Sequence, residues 1–305
     1  FKYKDIVTVL PANTTLGSQI KFNFSEKIST LRASSSGLAT TAYLAGPILR
    51  NQIETISFIN GNLVPGDAIG SWDVSSTSDG SVMAWYKDSD SDSLYELSIG
   101  GVNGVRANAL SSSLFYNLTS LVSIDFSEFD TLNVTDMNSM FYGNSSLISL
   151  DLSNFDTSKV TNMSNMFYGA SKITTLNLSS FDTTNTINMS GMFQNMTLLT
   201  SLDVSSFNTI KVTNMSNMFI GVSSITALDI DNFITSAVTN MTSTFSGMTN
   251  LLTLDLSTFD TTNVTSMSNM FYNCSKLTSL NISSFNTDVN ETAYEIYEFM
   301  KDKLQ

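Results

Sequence analysis

The chain repeats a unit of 26 residues seven times without insertion or deletion. Residues 150–172 read LDLSNFDTSKVTNMSNMFYGASK, and residues 176–198 read LNLSSFDTTNTINMSGMFQNMTL. Two apolar columns mark the period: Leu121, Leu147, Ile173, Leu199, Ile225, Leu251 and Leu277, and Phe129, Phe155, Phe181, Phe207, Phe233, Phe259 and Phe285. A fixed period of this length is typical of a solenoid, in which each copy stacks on its neighbours. Both columns are therefore predicted to be buried.

Each repeat begins with the pattern of a short strand. Leu150 and Leu152 alternate with Asp151, which predicts two buried side chains and one exposed carboxylate. Strands of successive repeats are expected to form a parallel sheet. The following F-D-T-S-K contains turn-forming residues, and its Asp and Thr are expected to bond their own backbone.

The second half of each repeat has helical spacing. In VTNMSNMF, residues 160–167, Met163, Met166 and Phe167 fall at i, i+3 and i+4. Thr161 precedes them as a possible N-cap. The pattern predicts one short helix per repeat. The methionines at these two positions of the repeat are predicted to lie in the core and not to form a soft-metal site. They are called the methionine stripe: Met137, Met163, Met189, Met215, Met241 and Met267, and Met140, Met166, Met192, Met218 and Met270.

The composition excludes several functions. With 14 basic and 27 acidic residues the net charge is −13, which disfavours nucleic acid and anionic membrane surfaces as partners. The absence of His removes most general bases, the usual catalytic triads and most zinc sites. One cysteine, Cys274, precludes an internal disulfide, and its repeat position indicates a core residue. The longest apolar runs, such as LATTAYLAGPIL, are far shorter than a membrane span and are interrupted by Pro47, so neither direct membrane insertion nor a signal peptide is predicted. The chain is therefore predicted not to be an enzyme, with no catalytic, cofactor-binding or metal-ligating residues.

An acidic column is the candidate partner-binding site: Asp125, Asp151, Asp203, Asp229 and Asp255, completed by Asn177 and Asn281. Because like charges one strand spacing apart repel, this column is either well solvated or met by cations or a basic partner. A second column, which is expected to bond turn amides, comprises Asp130, Asp156, Asp182 and Asp260.

Two further motifs have plain interpretations. DSDSDS at 88–93 has the alternating carboxylates of a calcium loop, but Ser93 and Ile99 replace the expected Gly and Glu, which favours a hairpin turn. Glycosylation sequons recur at one position of the repeat, and they would carry a row of glycans in a eukaryotic or archaeal host: Asn162, Asn188, Asn214 and Asn240.

The repeats LSNFDTSKVTNMSNMFYGAS and LSTFDTTNVTSMSNMFYNCS resemble the 26-residue repeat of BspA-like leucine-rich-repeat surface proteins. Segment 70–115 is similar to a module that often introduces such repeats. The resemblance implies a secreted or wall-attached protein of the kind often called an adhesin. Departures from the pattern are Thr186-Ile187 in place of Val-Thr, Ile234 in place of Asp and Thr244 in place of Met.

Together, the repeat and the resemblance predict an α/β fold: a right-handed leucine-rich-repeat-like solenoid with one short parallel strand and one short helix per coil. Residues 1–69 are expected to contain β-structure of no assigned type, and 70–115 to form a hairpin-rich N-terminal cap. The solenoid would occupy 116–289. Residues 290–305 would form a capping helix, with apolar residues at helical spacing: Ala293, Ile296, Tyr297, Met300 and Leu304.

Three functional classes stay open at this point. The first is an extracellular cell-surface binding or adhesion module, whose solenoid surface meets a protein or glycan on a host or neighbouring cell. The second is a structural subunit of a surface layer or filament that assembles with itself. The third is a carbohydrate-active enzyme with paired carboxylates, which the regularity of the acidic columns disfavours.

Overall fold

The computed structural model describes residues 28–32, 44 and 46–286, and these residues form strands, bridges and turns, with no α-helix. A short 3-10 helix spans Arg50–Gln52. The strands of the described residues are β1 Ser29–Thr30, β2 Ile53–Asn60, β3 Gly70–Asp73, β4 Val82–Lys87, β5 Tyr95–Gly101, β6 Val105–Arg106, β7 Ser123–Asp125, β8 Phe129–Asp130, β9 Thr175–Leu176, β10 Ser201–Leu202, β11 Thr253–Asp255 and β12 Ser279–Asn281.

A five-stranded sheet of order β3-β4-β5-β2-β7 joins the N-terminal region to the repeats. β4 pairs antiparallel with β3 and β5, whereas β2 pairs parallel with β5 on one side and with β7 on the other. The sheet therefore crosses the expected boundary between residues 69 and 70. Phe58 of β2 packs against Phe129 with ring centroids 4.2 Å apart, so the core of the cap continues into the core of the first repeat.

The repeats stack on one another in parallel register. β9 pairs with β10 and β11 with β12, each with partners 26 residues apart. A row of isolated parallel bridges runs through the described repeats at the same spacing: Leu110 to Asp136, then Asn162, Asn188, Asn214, Asn240 and Ser266. The stack begins before Leu121, because the Phe115 N–H already donates to the Met140 carbonyl at 3.0 Å. That earlier coil carries the second half of the repeat, because SLFYNLTSL at 113–121 aligns with SMFYGNSSL at 139–147.

The predicted helix in each repeat is wrong, and so is the α/β class. In the segment 160–167, Met163 and Asn165 donate their N–H groups to carbonyls of the next coil, Asn188 at 2.9 Å and Ser190 at 2.8 Å. The Met166 N–H instead closes a tight turn on the Met163 carbonyl at 3.3 Å. Alternate amides therefore bond between coils, and an α-helix would need each of them within the segment.

A left-handed residue explains why a helix cannot form here. Asn165 has φ of 54°, and the position holds Ser, Asn or Gly at positive φ in each repeat from Ser139 to Asn269. Residues with L chirality adopt this conformation only singly, and Asn does so more readily than most. Thr161 is likewise no helix cap, because its N–H and hydroxyl both donate to the Thr135 carbonyl, at 2.9 and 3.2 Å.

The predicted core columns are confirmed. The aliphatic column from Leu121 to Leu277 is buried, as is the Phe column from Phe129 to Phe259, whereas Phe285 is partly buried. A second Phe column stacks ring on ring along the repeats: Phe115, Phe141, Phe167, Phe193, Phe219, Phe245 and Phe271. The methionine stripe and Cys274 are buried among these residues. Spacing at i, i+3 and i+4 therefore identified the core correctly without a helix.

A buried threonine column links successive coils. The Thr183 hydroxyl donates to the Asn208 carbonyl at 3.0 Å and accepts the Asn208 N–H at 2.8 Å, and the same pair of bonds recurs in most repeats. The members of this column are at most 1% exposed: Thr131, Thr157, Thr183, Thr209, Thr235 and Thr261. The expectation that this Thr bonds its own backbone is wrong. The predicted capping helix at 290–305 lies outside the described residues.

We expect Phe207→Ala to cost about 3 to 5 kcal/mol of unfolding free energy, because it leaves a cavity in the Phe column. Asp203→Asn should change stability by less than about 0.5 kcal/mol, because the site is exposed and Asn keeps the side-chain acceptor. Urea denaturation followed by circular dichroism measures both. Equal costs for the two variants would contradict the assignment of inward and outward residues.

Thr183→Val should cost about 1 to 3 kcal/mol, because it removes both hydrogen bonds to Asn208 while nearly keeping the side-chain volume. The matched control is Thr184→Val, one residue along and exposed, which should shift stability by less than about 0.5 kcal/mol. The same denaturation experiment compares them. If both variants were as stable as the parent chain, the threonine column would contribute nothing to stacking.

Candidate functional site

The outer strand face is the exposed side of the strands in the stacked repeats. It presents two columns from each strand: a column of small residues, mostly Ser and Thr, at Ser123, Ser149, Thr175, Ser201, Ala227, Thr253 and Ser279, and the acidic column. The five aspartates of the acidic column all lie at exposed positions, as the strand pattern predicts. Their carboxylates therefore form one row along the stack, interrupted at Asn177.

Each carboxylate of this column also holds a turn. Asp151 Oδ1 accepts the Ser153 N–H at 3.0 Å, and Asp203 Oδ1 accepts the Ser205 N–H at 2.9 Å. The same bond to the residue two positions on occurs at Asp125, Asp229 and Asp255, and at Asn177 and Asn281. One oxygen of each Asp is thus used by the fold. Sequence reasoning assigned this role only to the second column.

The second acidic column and the column of sequon asparagines form equivalent turns. Asp156 Oδ1 accepts the Ser158 N–H at 2.9 Å, as expected for the second column. The sequon residues do the same, because Asn162 Oδ1 accepts the Ser164 N–H at 3.1 Å. The four repeats over 121–224 therefore each have three turns held by an Asp or Asn side chain. The next two repeats lack one such side chain each, because Ile234 and Ser266 stand at the corresponding positions. The recurrence of Asn-x-Ser and Asn-x-Thr at one position has this structural reason independently of any glycan.

The turn bonds lower the pKa of three outer carboxylates, those of Asp151, Asp203 and Asp255. At Asp151 the cause is the N–H of Ser153 followed by its hydroxyl, and at Asp203 and Asp255 it is the hydroxyl of the following Ser and then its N–H. Hydrogen bonds to the ionised form stabilise the charge, so the pKa of each of these three carboxyls lies below the ordinary 3.8. These groups are fully ionised at neutral pH.

A shallow open pocket of about 400 Å³ lies on the outer strand face between β9 and β10. It is lined by Thr175, Leu176, Asn177, Ser201, Leu202 and Asp203. The pocket coincides with the interruption of the acidic column, since Asn177 replaces the aspartate of that repeat. Two leucines, two hydroxyl residues, one amide and one carboxylate make a surface suited to a neutral or basic polar group.

The DSDSDS segment forms the turn between β4 and β5, as interpreted from the sequence. Asp88, Asp90 and Asp92 bring carboxylate oxygens within 4.8 Å of one another. Turn amides use part of this set, because the Leu94 N–H donates to Asp92 Oδ1 at 2.7 Å. Burial and then the neighbouring acidic groups raise the pKa of Glu54. An exposed acidic cluster of this kind does not by itself define a metal site.

In the part of the chain that the structure covers, no helix has the length and apolar character of a membrane span.

Comparison with known families supplies one match. The family described as DUF285, Mycoplasma protein of unknown function, matches residues 109–226 and 197–303, which is more than half of the chain. The chain belongs to the DUF285 family. The two matched ranges cover the stacked repeats and the coil that precedes Leu121. No curated protein and no solved structure is significantly similar to the chain.

The lowered pKa values predict an acid-dependent stability. Because the folded state favours the ionised carboxylates of Asp151, Asp203 and Asp255, their stabilisation is complete above pH 3.8 and is lost as the pH falls through the lower folded-state pKa values. A variant with Asn in place of Asp151, Asp203 and Asp255 keeps the side-chain acceptors of the turns, but these side chains do not titrate. Its urea midpoint should therefore fall less than that of the parent chain between about pH 5 and pH 2.

At pH 7 the two chains should have closely similar urea midpoints, which serves as the control for folding. Parallel pH profiles for the parent chain and the variant would show that these turn bonds do not favour the ionised form.

Proposed function

We propose that this DUF285 protein is an extracellular cell-surface protein of the BspA-like leucine-rich-repeat kind and acts as a binding or adhesion module. Its partner would be a protein or glycan on a host or neighbouring cell. The observation that carries the proposal is the outer strand face: an exposed row of ionised carboxylates beside a row of mostly hydroxyl side chains. The repeat resemblance supports the extracellular location.

The chemistry of this face favours a polar partner. Its exposed positions offer carboxylate oxygens and small hydroxyls, and the pocket between β9 and β10 adds two leucine side chains. Hydroxyl-rich glycans and basic peptide segments complement such a surface by hydrogen bonds and charge. Each contact of this kind is weak, so adhesion would depend on several contacts along one stack or on many copies on a cell.

Regularity argues against catalysis at the same residues. Every carboxylate of the acidic column makes the same turn bond, whereas an acid and a base acting together need different environments that separate their pKa values. The proposal therefore assigns the column to binding and places no reaction there.

The test is a glycan and extracellular-matrix protein array probed with the purified chain. A neutral-face variant carries Asn at Asp125, Asp151, Asp203, Asp229 and Asp255. A matched control removes the same number of charges elsewhere, with Asn at Asp90, Asp92, Asp156, Asp182 and Asp260. Binding by the parent chain and the control, with loss of signal for the neutral-face variant, is the expected result. Equal signals for all three chains would eliminate the acidic column as the binding site.

The alternative proposal is a structural subunit of a surface layer or filament. The parallel edges of a stacked-repeat fold offer backbone groups that pair with another chain when they are uncovered. Electron microscopy of the same purified samples separates the two proposals. Ordered polymers together with silence on the array would favour the structural subunit.

A further inference from the structure

Three tyrosines stack on the surface of the first repeats. The rings of Tyr142 and Tyr168 have centroids 4.2 Å apart and planes inclined by 5°, and Tyr116 stacks on Tyr142 at 4.8 Å and 14°. All three side chains are partly exposed. The next coils place Gln194, Ile220 and Ser246 at this position, so the column ends at Tyr168.

The repeat register fixes the mutual orientation of these rings. Tyr142 and Tyr168 occupy the same position of adjacent coils, and the Gly143 N–H donates to the Tyr168 carbonyl at 2.7 Å. Burial, followed by the interaction with Tyr168, raises the pKa of Tyr142. The two rings therefore point the same way, with the carbons ortho to each hydroxyl facing each other at about the ring spacing.

We propose that the Tyr142–Tyr168 pair is a site of oxidative cross-linking, at which a one-electron oxidant joins the first two repeats through an intrachain dityrosine bond. This role is separate from the proposed binding function and does not depend on it. The bond would connect adjacent coils and restrict their separation on unfolding.

The reaction is balanced as follows. Each phenol loses one electron to the oxidant and one proton to solvent, which leaves unpaired spin on the oxygen and on the ortho carbons. The two radicals form a carbon–carbon bond between facing ortho carbons. The hydrogen on each of these carbons then moves to the oxygen as the rings regain aromaticity. The protein loses two hydrogen atoms in total, and its two electrons reduce the oxidant.

The rest of the described chain offers poorer geometry for this coupling. Tyr86 and Tyr95 are 4.9 Å apart, but their planes are inclined by 67°, so one ring meets the other by its edge. Tyr272 is 67% exposed and stands in a coil whose preceding neighbour has Ser246 at that position. Cys274 and the methionine stripe are buried, which protects these competing oxidation sites from solvent.

The experiment is brief photo-oxidation of the full chain with a ruthenium bipyridyl complex and persulfate, which accepts the two electrons and becomes two sulfate ions. Trypsin cleavage after Arg106, Lys159 and Lys172 then places Tyr142 in peptide 107–159 and Tyr168 in peptide 160–172. Mass spectrometry should detect these peptides joined with the loss of two hydrogen atoms. The yield per molecule should not change on dilution of the protein.

Tyr168→Phe should reduce this product to background, because Phe keeps the stacked ring but lacks the phenol. Tyr272→Phe is the matched control and should leave the product unchanged. Unfolding the chain in urea before oxidation should also abolish it, since the pairing depends on the stack. The proposal would be overturned if native protein gave no joined peptides, or if the yield survived in urea or rose with protein concentration.

Discussion

The backbone hydrogen bond between adjacent coils is the interaction on which the rest of this structure depends. Amides of one coil donate to carbonyls of the next at alternate residues, as at Met163 and Asn165, and the intervening amides close tight turns. This pattern satisfies the backbone of a buried, irregular segment without a helix or a long strand. A single repeat has no such partner, so a coil is stabilised only within the stack.

The polar side chains of the repeat have two distinct roles in that stack. The buried Thr183 hydroxyl exchanges two hydrogen bonds with the next coil. The exposed or partly buried Asp and Asn side chains of the turns, such as Asp151, Asp156 and Asn162, bond within their own coil. The carboxylates of the proposed binding face are therefore already fixed in place by the fold. A partner would meet a prearranged row of charges and would not have to order it.

Much of the core and of the candidate site was predictable from the repeat, and the class of fold was not. Phe155 and Asp151 were placed inward and outward correctly, because alternation and a fixed period determine which side of a coil each residue faces. The Met163, Met166 and Phe167 spacing fits an amphipathic helix and a run of tight turns equally well. The turn-holding role of Asp151 was missed, although its Ser two residues on is a local signal for that turn.

The sequence by itself determined the 26-residue period, the buried columns and the acidic row, because these follow from the order of side chains along one coil. Only the tertiary structure decided the backbone of residues 160–168, the partner of Thr183 and the insertion of β2 between β5 and β7. The physical reason is the same in each case. The hydrogen-bond partner lies in a neighbouring coil or strand, and no local pattern specifies which amide will meet which carbonyl there.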